Sequence, residues 1–321
     1  DATRFIANQL FSKYGLVIID GDDKQLKQLF TPFVEKELKT HVSYKTVTNS
    51  ISELEKHYKI QVNPRENNLF YLNENSRERI IKEANSFKIN NTDKIFTEEE
   101  ILQEANSFPE RFSPNVIMRP LYQEVILPNL AYIGGGGELA YWLQLKDYFN
   151  QVHVPFPILL LRNSVQVIST KQQKKLDNLT ISTEELFLKL NDLLKKKINE
   201  NSDIEFNFLD AKTLLEQQFY MLRRVANETD ESFVGAVNAQ EKKQLNGLDN
   251  LEKRLLRAEK RKQQDLVTRI TELKTQLFPN QSLEERQRNF SEYYLEYGEN
   301  FIEALKESLK PLELEFTILE L

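Results

Sequence analysis

The order of hydrophobic and polar positions predicts an α/β core in the first half of the chain. A helical pattern at the start is followed by the continuous apolar run 16–19, an acidic turn and a second helix. The same order returns after residue 113, where the apolar segments 116–118, 130–133 and 157–161 each precede a polar turn or a helix. Strands that alternate with helices are typical of a parallel sheet. A short β-branched run at 165–168 is expected to end this sheet.

Residues 41–112 lack this order and are interpreted as an inserted subdomain. Polar helices are predicted at 47–58 and 97–108, and short strands at 59–63 and 68–72, with Asn-rich turns between them. Between the strands lies a polar cluster of Asn63, Arg65 and Asn68. These side chains either contact a substrate or build a turn, and the turn is the default interpretation.

Beyond residue 170 the pattern is almost wholly helical. Ser182 and Glu185 have the spacing of a capping box, which starts a helix. Apolar residues recur in steps of three and four between 248 and 277, with a skip at Lys262. This predicts a coiled-coil hairpin that packs on another helix or on a second subunit, and the alternative is a single helix on the domain's own core. The last residues, 314–321, are β-like and are expected to rejoin the sheet.

Composition narrows the classes of function. The 321 residues include 43 Lys and Arg against 49 Asp and Glu, and a net charge of -6 disfavours binding to a nucleic-acid backbone. The chain has no Cys and three scattered His, which disfavours a zinc site. No apolar run approaches the roughly 20 residues that cross a bilayer, so we expect a cytoplasmic protein without a membrane partner. Because the chain opens within a helical pattern and without Met, we expect the later portion of a longer protein.

Polar side chains follow several predicted strands, where ligands bind in open α/β sheets. Pro120 is expected to keep Arg119 in extended geometry at a strand end. Arg119 and Arg162 are each expected to face an anionic ligand, with a structural ion pair as the alternative. The acidic turn 20–23 could bind magnesium or ribose, but Asp and Gly in this position are more often turn and capping residues.

Four of the nine glycines form one run between a predicted strand and a helix: Gly134, Gly135, Gly136 and Gly137. Such a run exposes backbone N–H groups that suit a polar ligand, and a flexible turn is the alternative. It is neither a dinucleotide fingerprint, since Leu139 stands where a third Gly is needed, nor a P-loop. Glu138 would repel a bare phosphate, so an amine or hydroxyl is the more natural ligand. Tyr141 and Trp142 either wall a pocket or belong to the core.

Longer strings resemble a known family. The stretch FSPNVIMRPLYQEVILPNLAYIGGGGELAYWLQLK, followed by VPFPILLLRNS, resembles the bacillithiol-biosynthesis cysteine-adding enzymes, a family of cysteine ligases. The upstream strings YGLVIIDGDDK and QVNPRENNLFYL and the terminal FTILEL are similar to the same family. The resemblance therefore covers essentially the whole chain.

The resemblance implies both a fold and a reaction. The fold is α/β, with a partial Rossmann-like core of the class I synthetase type, an inserted connecting subdomain and a long helical coiled-coil domain that pairs two subunits. The reaction joins the carboxyl of L-cysteine to the amine of glucosaminyl-malate after ATP has activated the carboxyl, most simply as a cysteinyl-adenylate. ATP, with ADP or AMP as product and Mg²⁺ as a companion ion, is the expected cofactor. A homodimer is the expected assembly.

On this basis we divide the chain into four segments. Residues 1–40 and 113–169 form the two parts of the nucleotide-binding core, and residues 41–112 form the connecting subdomain. Residues 170–321 form the helical coiled-coil domain, whose C-terminal segment returns to the core. This chain without its upstream part is expected to be inactive.

The resemblance also implies site residues. Arg119 and Glu138 are the expected catalytic residues, with Glu138 holding an ammonium group and Arg119 a carboxylate or phosphate. The expected substrate-binding residues are Asn115, Gln123, Gly134, Gly135, Gly136, Gly137, Tyr141 and Trp142, and the expected nucleotide-binding residues are Arg162, Asn163 and Ser164. One competing hypothesis is a coiled-coil scaffold protein with a non-catalytic α/β part, which would not bind ATP. The other is a transfer-RNA binder, whose RNA affinity would depend strongly on salt.

Overall fold

The structure is a computed structural model and describes residues 2–202 and 208–321. The chain forms two compact units. The first, here termed the α/β unit, comprises Asp1–Asn163 and Lys310–Leu314. The second, the helical unit, comprises Ser164–Leu309 and Glu315–Leu321.

Helices and strands are mixed in the α/β unit. Its helices are α1 Ala2–Phe11, α2 Lys24–Thr40, α3 Val42–Leu54, α4 Glu98–Ser107, α5 Arg119–Ile126, α6 Gly136–Leu143 and α7 Lys146–Gln151. Its strands are β1 Leu69–Asn73, β2 Ser76–Glu83, β3 Ser86–Ile89, β4 Ile95–Thr97, β5 Phe112–Pro114, β6 Ala131–Gly134 and β7 Ile158–Leu161. The first five strands form a sheet in the order β4-β3-β2-β1-β5, and β6 pairs with β7.

The pair β6–β7 is parallel, as the alternation of strands and helices predicts. Gly134 lies opposite Leu161 at the end of the pair. The N–H of Arg162 donates to the carbonyl of Gly134 at 3.0 Å, so the pairing continues one residue further. Parallel strands end at the same edge of a sheet. The glycine run and Arg162 therefore start side by side, and the predicted strands at 130–133 and 157–161 are confirmed.

The sheet formed by β1–β5 is antiparallel and comes mostly from the insertion. Strand β1 confirms the strand predicted at 68–72. The β2–β4 meander was not predicted, because β2 has the sequence SRERIIKE and its charged residues resemble a loop. In β2 Ile80 is buried while its neighbours Arg79 and Ile81 are exposed, which is the period-two pattern of a half-buried strand.

Three predicted strands are wrong. Residues 16–19 and 59–63 pair with no strand among the described residues, and the side chain of Val17 is 72% exposed. Residues 116–118 form a turn, and the strand of this region is β5, a few residues earlier. An apolar run becomes a strand only where a partner accepts its backbone hydrogen bonds, which a local pattern does not show.

Arg119 is not extended, contrary to the sequence-based expectation, since it is the first residue of α5. The side-chain oxygen of Asn115 accepts a hydrogen bond from the N–H of Ile117 at 2.8 Å. The backbone carbonyl of Asn115 accepts another from the N–H of Arg119 at 2.8 Å. These bonds close the turn before the helix. Pro120 lies in the first helical turn, as expected, because its missing N–H would have no acceptor there.

The helical unit contains the predicted long helices. Its helices are α8 Thr170–Asn178, α9 Leu190–Glu200, α10 Leu209–Ala226, α11 Glu231–Lys262, α12 Gln264–Leu277, α13 Ser291–Tyr297 and α14 Glu299–Ser308. Its strands are β8 Ser164–Ile168 and β9 Phe316–Glu320. The two strands are parallel partners, so both predicted β segments are confirmed as strands. They form a separate two-stranded sheet, and the expectations that 165–168 end the core sheet and that 314–321 rejoin it are wrong.

Helices α10 and α11 form the predicted hairpin. Lys212 near the start of α10 pairs with Asp249 and Glu252 on α11 at 2.7 and 2.9 Å. Near the end of α10, Arg223 pairs with Glu241. Later positions on α10 therefore pair with earlier positions on α11, so the two helices are antiparallel.

The skip in the heptad pattern coincides with a break between α11 and α12 at Gln263. On the far side of the break, Ile270 and Leu273 of α12 pack with Leu193 and Ile198 of α9 in a buried cluster. The hydrogen bonds of the predicted capping box form, because Ser182 N–H donates to the side chain of Glu185 at 2.8 Å and Glu185 N–H donates to Ser182 Oγ at 3.4 Å. They precede only the short 3₁₀ segment Glu184–Phe187, and α9 begins later, at Leu190. In residues 2–202 and 208–321, no helix combines the length and apolar character that a bilayer span needs.

Candidate functional site

A cavity of about 560 Å³ opens in the α/β unit. Its size falls within the roughly 300–1,000 Å³ of small-molecule pockets. Polar residues that line it include Asp20, Asp22, Arg77, Arg119, Tyr122 and Gln123. They come from the acidic turn, β2 and α5, so the cavity joins the core to the inserted sheet.

The acidic turn is in part a helix cap. One oxygen of Asp23 accepts hydrogen bonds from the N–H groups of Gln25 and Leu26 at 2.8 and 3.1 Å, at the start of α2. This confirms the capping interpretation for Asp23. A cap of this kind also places a negative charge where the helix dipole favours it.

The other two aspartates already have cationic partners. Asp22 pairs with Lys27 at 2.8 Å, and Asp20 pairs with Arg4 at 2.7 Å. The backbone hydrogen bond from Asp22, assisted by Arg4, holds the pKa of Asp20 below its usual value. The described residues contain no group of three or more His, Cys, Asp or Glu that could hold a metal ion. We therefore assign no metal-dependent step to this turn.

Arg119 is held by neutral oxygens. Its Nη2 donates to the Tyr141 hydroxyl at 2.7 Å, and its Nη1 donates to Gln123 Oε1 at 3.2 Å. Burial alone would lower the pKa of Arg119, but hydrogen bonding to Tyr141 and Tyr132 outweighs it and raises the pKa. The guanidinium therefore stays charged and is fixed in direction.

The glycine run carries the chain from β6 into α6. Gly134 ends the strand, and Gly136 and Gly137 already belong to the helix. A Cβ on Gly134 would lie 2.7 Å from the ring of Tyr132, so this position has no room for a side chain. At Gly136 and Gly137 a Cβ would meet nothing within 4 Å. Only the first glycine of these three is required by packing.

Glu138 reaches back to the glycine run. Its Oε2 accepts a hydrogen bond from the N–H of Gly135 at 2.8 Å, and its Oε1 accepts from the Tyr132 hydroxyl at 3.2 Å. The backbone hydrogen bond from Gly135 is the main reason that the pKa of Glu138 is lowered. The carboxylate is therefore ionised and helps to cap α6.

Aromatic side chains stack on one another beside Arg119 and Glu138. Tyr132 stacks on Trp142 with ring centroids 4.1 Å apart. Trp142 is fully buried and also contacts Phe149 and Phe156. Trp142 thus packs in the core beneath Tyr132, whereas the Tyr141 hydroxyl reaches Arg119.

Asn115 is linked to a buried polar cluster that the sequence analysis treated as a turn. Its Nδ2 donates to Asn68 Oδ1 at 2.8 Å. Asn68 is fully buried and also donates to Ser43 Oγ at 2.7 Å, and the backbone N–H of Asn68 donates to the buried carboxylate of Glu37 at 3.3 Å. Asn68 Oδ1 accepts from the N–H of Arg65 at 3.0 Å, which confirms the turn. This cluster fixes the segment that leads into α5 and Arg119.

The segment 162–164 is not one site. A Cβ on Gly135 would lie 3.7 Å from Arg162 Cζ, so Arg162 lies beside the glycine run. Asn163 instead donates to the carbonyls of Lys310 and Glu313 at 3.0 and 3.2 Å. Ser164 belongs to the helical unit, where its hydroxyl donates to Glu285 at 3.2 Å.

The structure thus brings Arg119, Gln123, Tyr141 and Glu138 into one network through Tyr132. Arg119 and Gln123 line the cavity, whereas the four glycines, Glu138 and Tyr141 are not among its lining residues. Sequence analysis missed Tyr132, although a polar aromatic residue two positions before the glycine run is a usable signal. It also missed the cavity-lining residues Arg77 of β2 and Lys27 of α2, because only the packing of distant elements brings them to the cavity.

Comparison with known proteins identifies relatives over the whole chain. Residues 1–163 match the family described as bacillithiol biosynthesis BshC, N-terminal Rossmann-like domain, and residues 165–321 match the BshC C-terminal coiled-coil domain. The chain is 57% identical over 320 residues to the "Putative cysteine ligase BshC" of Christiangramia forsetii, covering 99% of this chain and 60% of that protein. The proteins of the same name from Flavobacterium johnsoniae and Cytophaga hutchinsonii are 53% and 38% identical, over 99% and 97% of this chain and 60% of each relative.

The chain spans 60% of the length of these relatives. The matches confirm the resemblance noted from the sequence, and they confirm a Rossmann-like domain followed by a coiled-coil domain. The chain therefore belongs to the BshC family of bacillithiol biosynthesis.

Proposed function

We propose that this chain is part of a cysteine ligase that joins the carboxyl of L-cysteine to the amine of glucosaminyl-malate at the expense of ATP. Membership of the BshC family and the names of the relatives support the ligase. The two substrates and the use of ATP rest on the family resemblance. The observation that carries the assignment to this site is the charged Arg119, fixed by neutral partners at the wall of a cavity of substrate size.

The reaction sets requirements for the site. An oxygen of the cysteine carboxylate bonds either to the α-phosphorus of ATP, and pyrophosphate leaves, or to the γ-phosphorus, and ADP leaves. The amine nitrogen then attacks the activated carbonyl carbon, the bond from this carbon to the phosphorylated oxygen breaks with release of AMP or inorganic phosphate, and the nitrogen loses a proton. The site must therefore hold anionic groups beside an amine and keep water away from the activated carboxyl.

Arg119 meets the anionic requirement. A guanidinium presents parallel N–H groups that match a carboxylate or phosphate. Tyr141 and Gln123 accept two of its hydrogen bonds without neutralising its charge. A ligand in the cavity would supply the neutralising charge.

Glu138 meets the requirement for a group that holds the amine, and the start of α6 offers hydrogen-bond donors to polar groups of the substrate. Glu138 is ionised, so it can attract an ammonium group while it caps the helix. The first N–H groups of a helix have no acceptor within the helix, and here they belong to Gly136 and Gly137. Because these residues do not line the cavity, we propose that their amides bind polar groups of a substrate that extends beyond the cavity, from Arg119 towards Glu138.

The test is mass spectrometry of cysteine, glucosaminyl-malate and ATP incubated with the full-length enzyme that contains this chain. The expected products are the cysteinyl amide together with AMP or ADP, which also tells the two activation routes apart. Arg119→Ala and Glu138→Gln are each expected to lower turnover by about 100-fold. Arg79→Ala, an exposed arginine of β2 outside the cavity, is the control and should keep full turnover. Absence of the amide would refute the function, and full turnover in both variants would refute the site.

We further propose a homodimer formed through the hairpin of α10 and α11. Leu214, Met221 and Val225 make an exposed apolar stripe on α10, with exposed fractions of 60%, 60% and 59%. A stripe of this kind supports the packing of a second helix pair.

Because the proposed reaction consumes ATP, we propose the cytoplasm as its compartment. ATP binding by the full-length protein would argue against the competing hypothesis of a non-catalytic scaffold.

A further inference from the structure

Arg77, which belongs to the inserted antiparallel sheet, lines the same cavity as Arg119. We propose that Arg77 and Arg119 together form a subsite of two guanidinium groups for the anionic group of a ligand, either a carboxylate or a phosphate. The proposal rests on the proposed function only in taking this ligand to be a substrate of the ligase. It gives the inserted sheet a direct part in binding.

Arg77 is exposed to solvent, but three contacts hold its guanidinium in place. Its Nε donates to Ser113 Oγ at 3.2 Å, and its Nη2 donates to the carbonyl of Pro114 at 3.1 Å. Its Cζ lies 3.8 Å from the centre of the Phe70 ring. These contacts leave the remaining N–H groups unused while they fix the plane of the guanidinium. A fixed guanidinium loses little freedom when it binds an anion.

Neither arginine has an anionic partner in the protein. Within the described ranges, no carboxylate forms an ion pair with Arg77 or with Arg119, and their hydrogen-bond acceptors are all neutral. The aspartates that share the cavity are paired with other cations, Asp20 with Arg4 and Asp22 with Lys27. Neither guanidinium at the cavity is therefore neutralised by a carboxylate in direct contact with it.

The residues that hold the two arginines also belong to the cavity. Ser113 and Pro114 anchor Arg77, Gln123 anchors Arg119, and all three line the cavity with them. The two guanidinium groups therefore approach one space from two elements. An anion between them would relieve their mutual repulsion and accept charge-assisted hydrogen bonds from both.

The same chemistry could come from either proposed substrate. Glucosaminyl-malate carries the two carboxylates of its malate part, and ATP carries phosphates. Apolar residues beside the arginines, among them Ile126 and Leu127, would contact the uncharged part of either molecule. The experiment therefore uses one probe for each source.

Isothermal titration calorimetry of the full-length enzyme with L-malate and with inorganic pyrophosphate tests the subsite directly. Arg77→Gln is expected to lower the affinity for one probe by about tenfold or more and to leave the affinity for the other within about twofold of that of the unmodified enzyme. Loss of malate binding assigns the subsite to the carboxylates of the acceptor, and loss of pyrophosphate binding assigns it to the nucleotide. Arg77→Lys keeps the charge but not the planar fork, so its affinity should be intermediate.

The control is Arg79→Gln, because Arg79 is exposed on the same strand but does not line the cavity. Its affinity for both probes should equal that of the unmodified enzyme, and urea unfolding followed by Trp142 fluorescence confirms that each variant is folded. The proposal is overturned if the unmodified enzyme binds neither probe, or if Arg77→Gln changes neither affinity by more than about twofold. Turnover is measured separately, so Arg77-dependent binding without amide formation would keep the subsite and refute the ligase reaction.

Discussion

Replacement of Asn68 by Ala should strongly destabilise the α/β unit, because this fully buried side chain connects four segments. Its Nδ2 donates to Ser43 Oγ at 2.7 Å and to the carbonyl of Arg65 at 2.8 Å. Its Oδ1 accepts from the N–H of Arg65 at 3.0 Å and from Asn115 at 2.8 Å. Alanine removes all of these hydrogen bonds and leaves their partners without a replacement, including a hydroxyl beside the buried carboxylate of Glu37.

The magnitude follows from the number of bonds. Each well-formed hydrogen bond contributes about 1 kcal/mol net, so losing the four gives about 4 kcal/mol. Partners left unsatisfied in the interior add to this, and local rearrangement subtracts from it. Against a typical total of roughly 5–15 kcal/mol, the loss is a large part of the stability of the unit.

Urea unfolding followed by tryptophan fluorescence measures this loss specifically. Trp142 is the single Trp of the chain and is fully buried in the α/β unit, so its emission reports the unfolding of that unit. With a slope of about 2 kcal/mol per molar urea, a loss of about 4 kcal/mol lowers the midpoint by about 2 M. The slope itself should not change, since the fold is the same.

The control is Asn106→Ala. Asn106 also makes side-chain hydrogen bonds, to Glu35 and to the carbonyl of Leu102 at 2.6 and 2.9 Å, but it is exposed on α4. Its replacement should change the free energy of unfolding by no more than about 0.5 kcal/mol. If Asn68→Ala costs as little as Asn106→Ala, the buried cluster does not hold the unit together and the reasoning fails.

Further predictions concern both units. Gly134→Ala should lower both the urea midpoint and turnover because its methyl group would strike the ring of Tyr132, whereas Gly136→Ala should leave both unchanged; equal effects would contradict the packing argument. Burial opposes ionisation of Glu185, but two lysines lower its pKa to about 2, so the helical unit should lose stability as the pH falls from about 4.5 towards 2. Circular dichroism of thermal unfolding at pH 7 and pH 3 should show a smaller drop for Glu185→Gln, and an unchanged drop would exclude this carboxyl as the cause. Met221→Glu should convert the proposed dimer into a monomer in sedimentation velocity, and a dimer that persists would place the interface elsewhere.

Several local features were predictable because neighbouring residues decide them. The strand, glycine run and helix at β6 and α6 follow from an apolar run, the backbone freedom of glycine and a helical segment that is apolar on more than one side. The break at Gln263 follows from a skip in the heptad steps, and the cap formed by Ser182 and Glu185 follows from their spacing. The family was recognisable for a different reason, since long strings carry more information than any single motif.

Pairing between distant residues decided the features that the sequence analysis missed. The apolar run 16–19 pairs with no described strand, whereas the charged segment β2 does form a strand because β1 and β3 accept its hydrogen bonds. Such partners lie outside any local stretch of sequence. Hydrophobicity alone therefore predicts a strand at 16–19 and a loop at β2, which is the reverse of what the structure shows.

The family, the order of helices and strands around the glycine run and the helical hairpin were all predictable from the amino-acid sequence, because each depends on contiguous residues. The positions of the charges at the site depend instead on how distant segments pack. Arg119 was recognisable from its neighbours, but Arg77 reaches the same cavity only through the register of β2, β1 and β5. Hydrogen bonds between strands set that register, and no pattern within one strand specifies which partner they join.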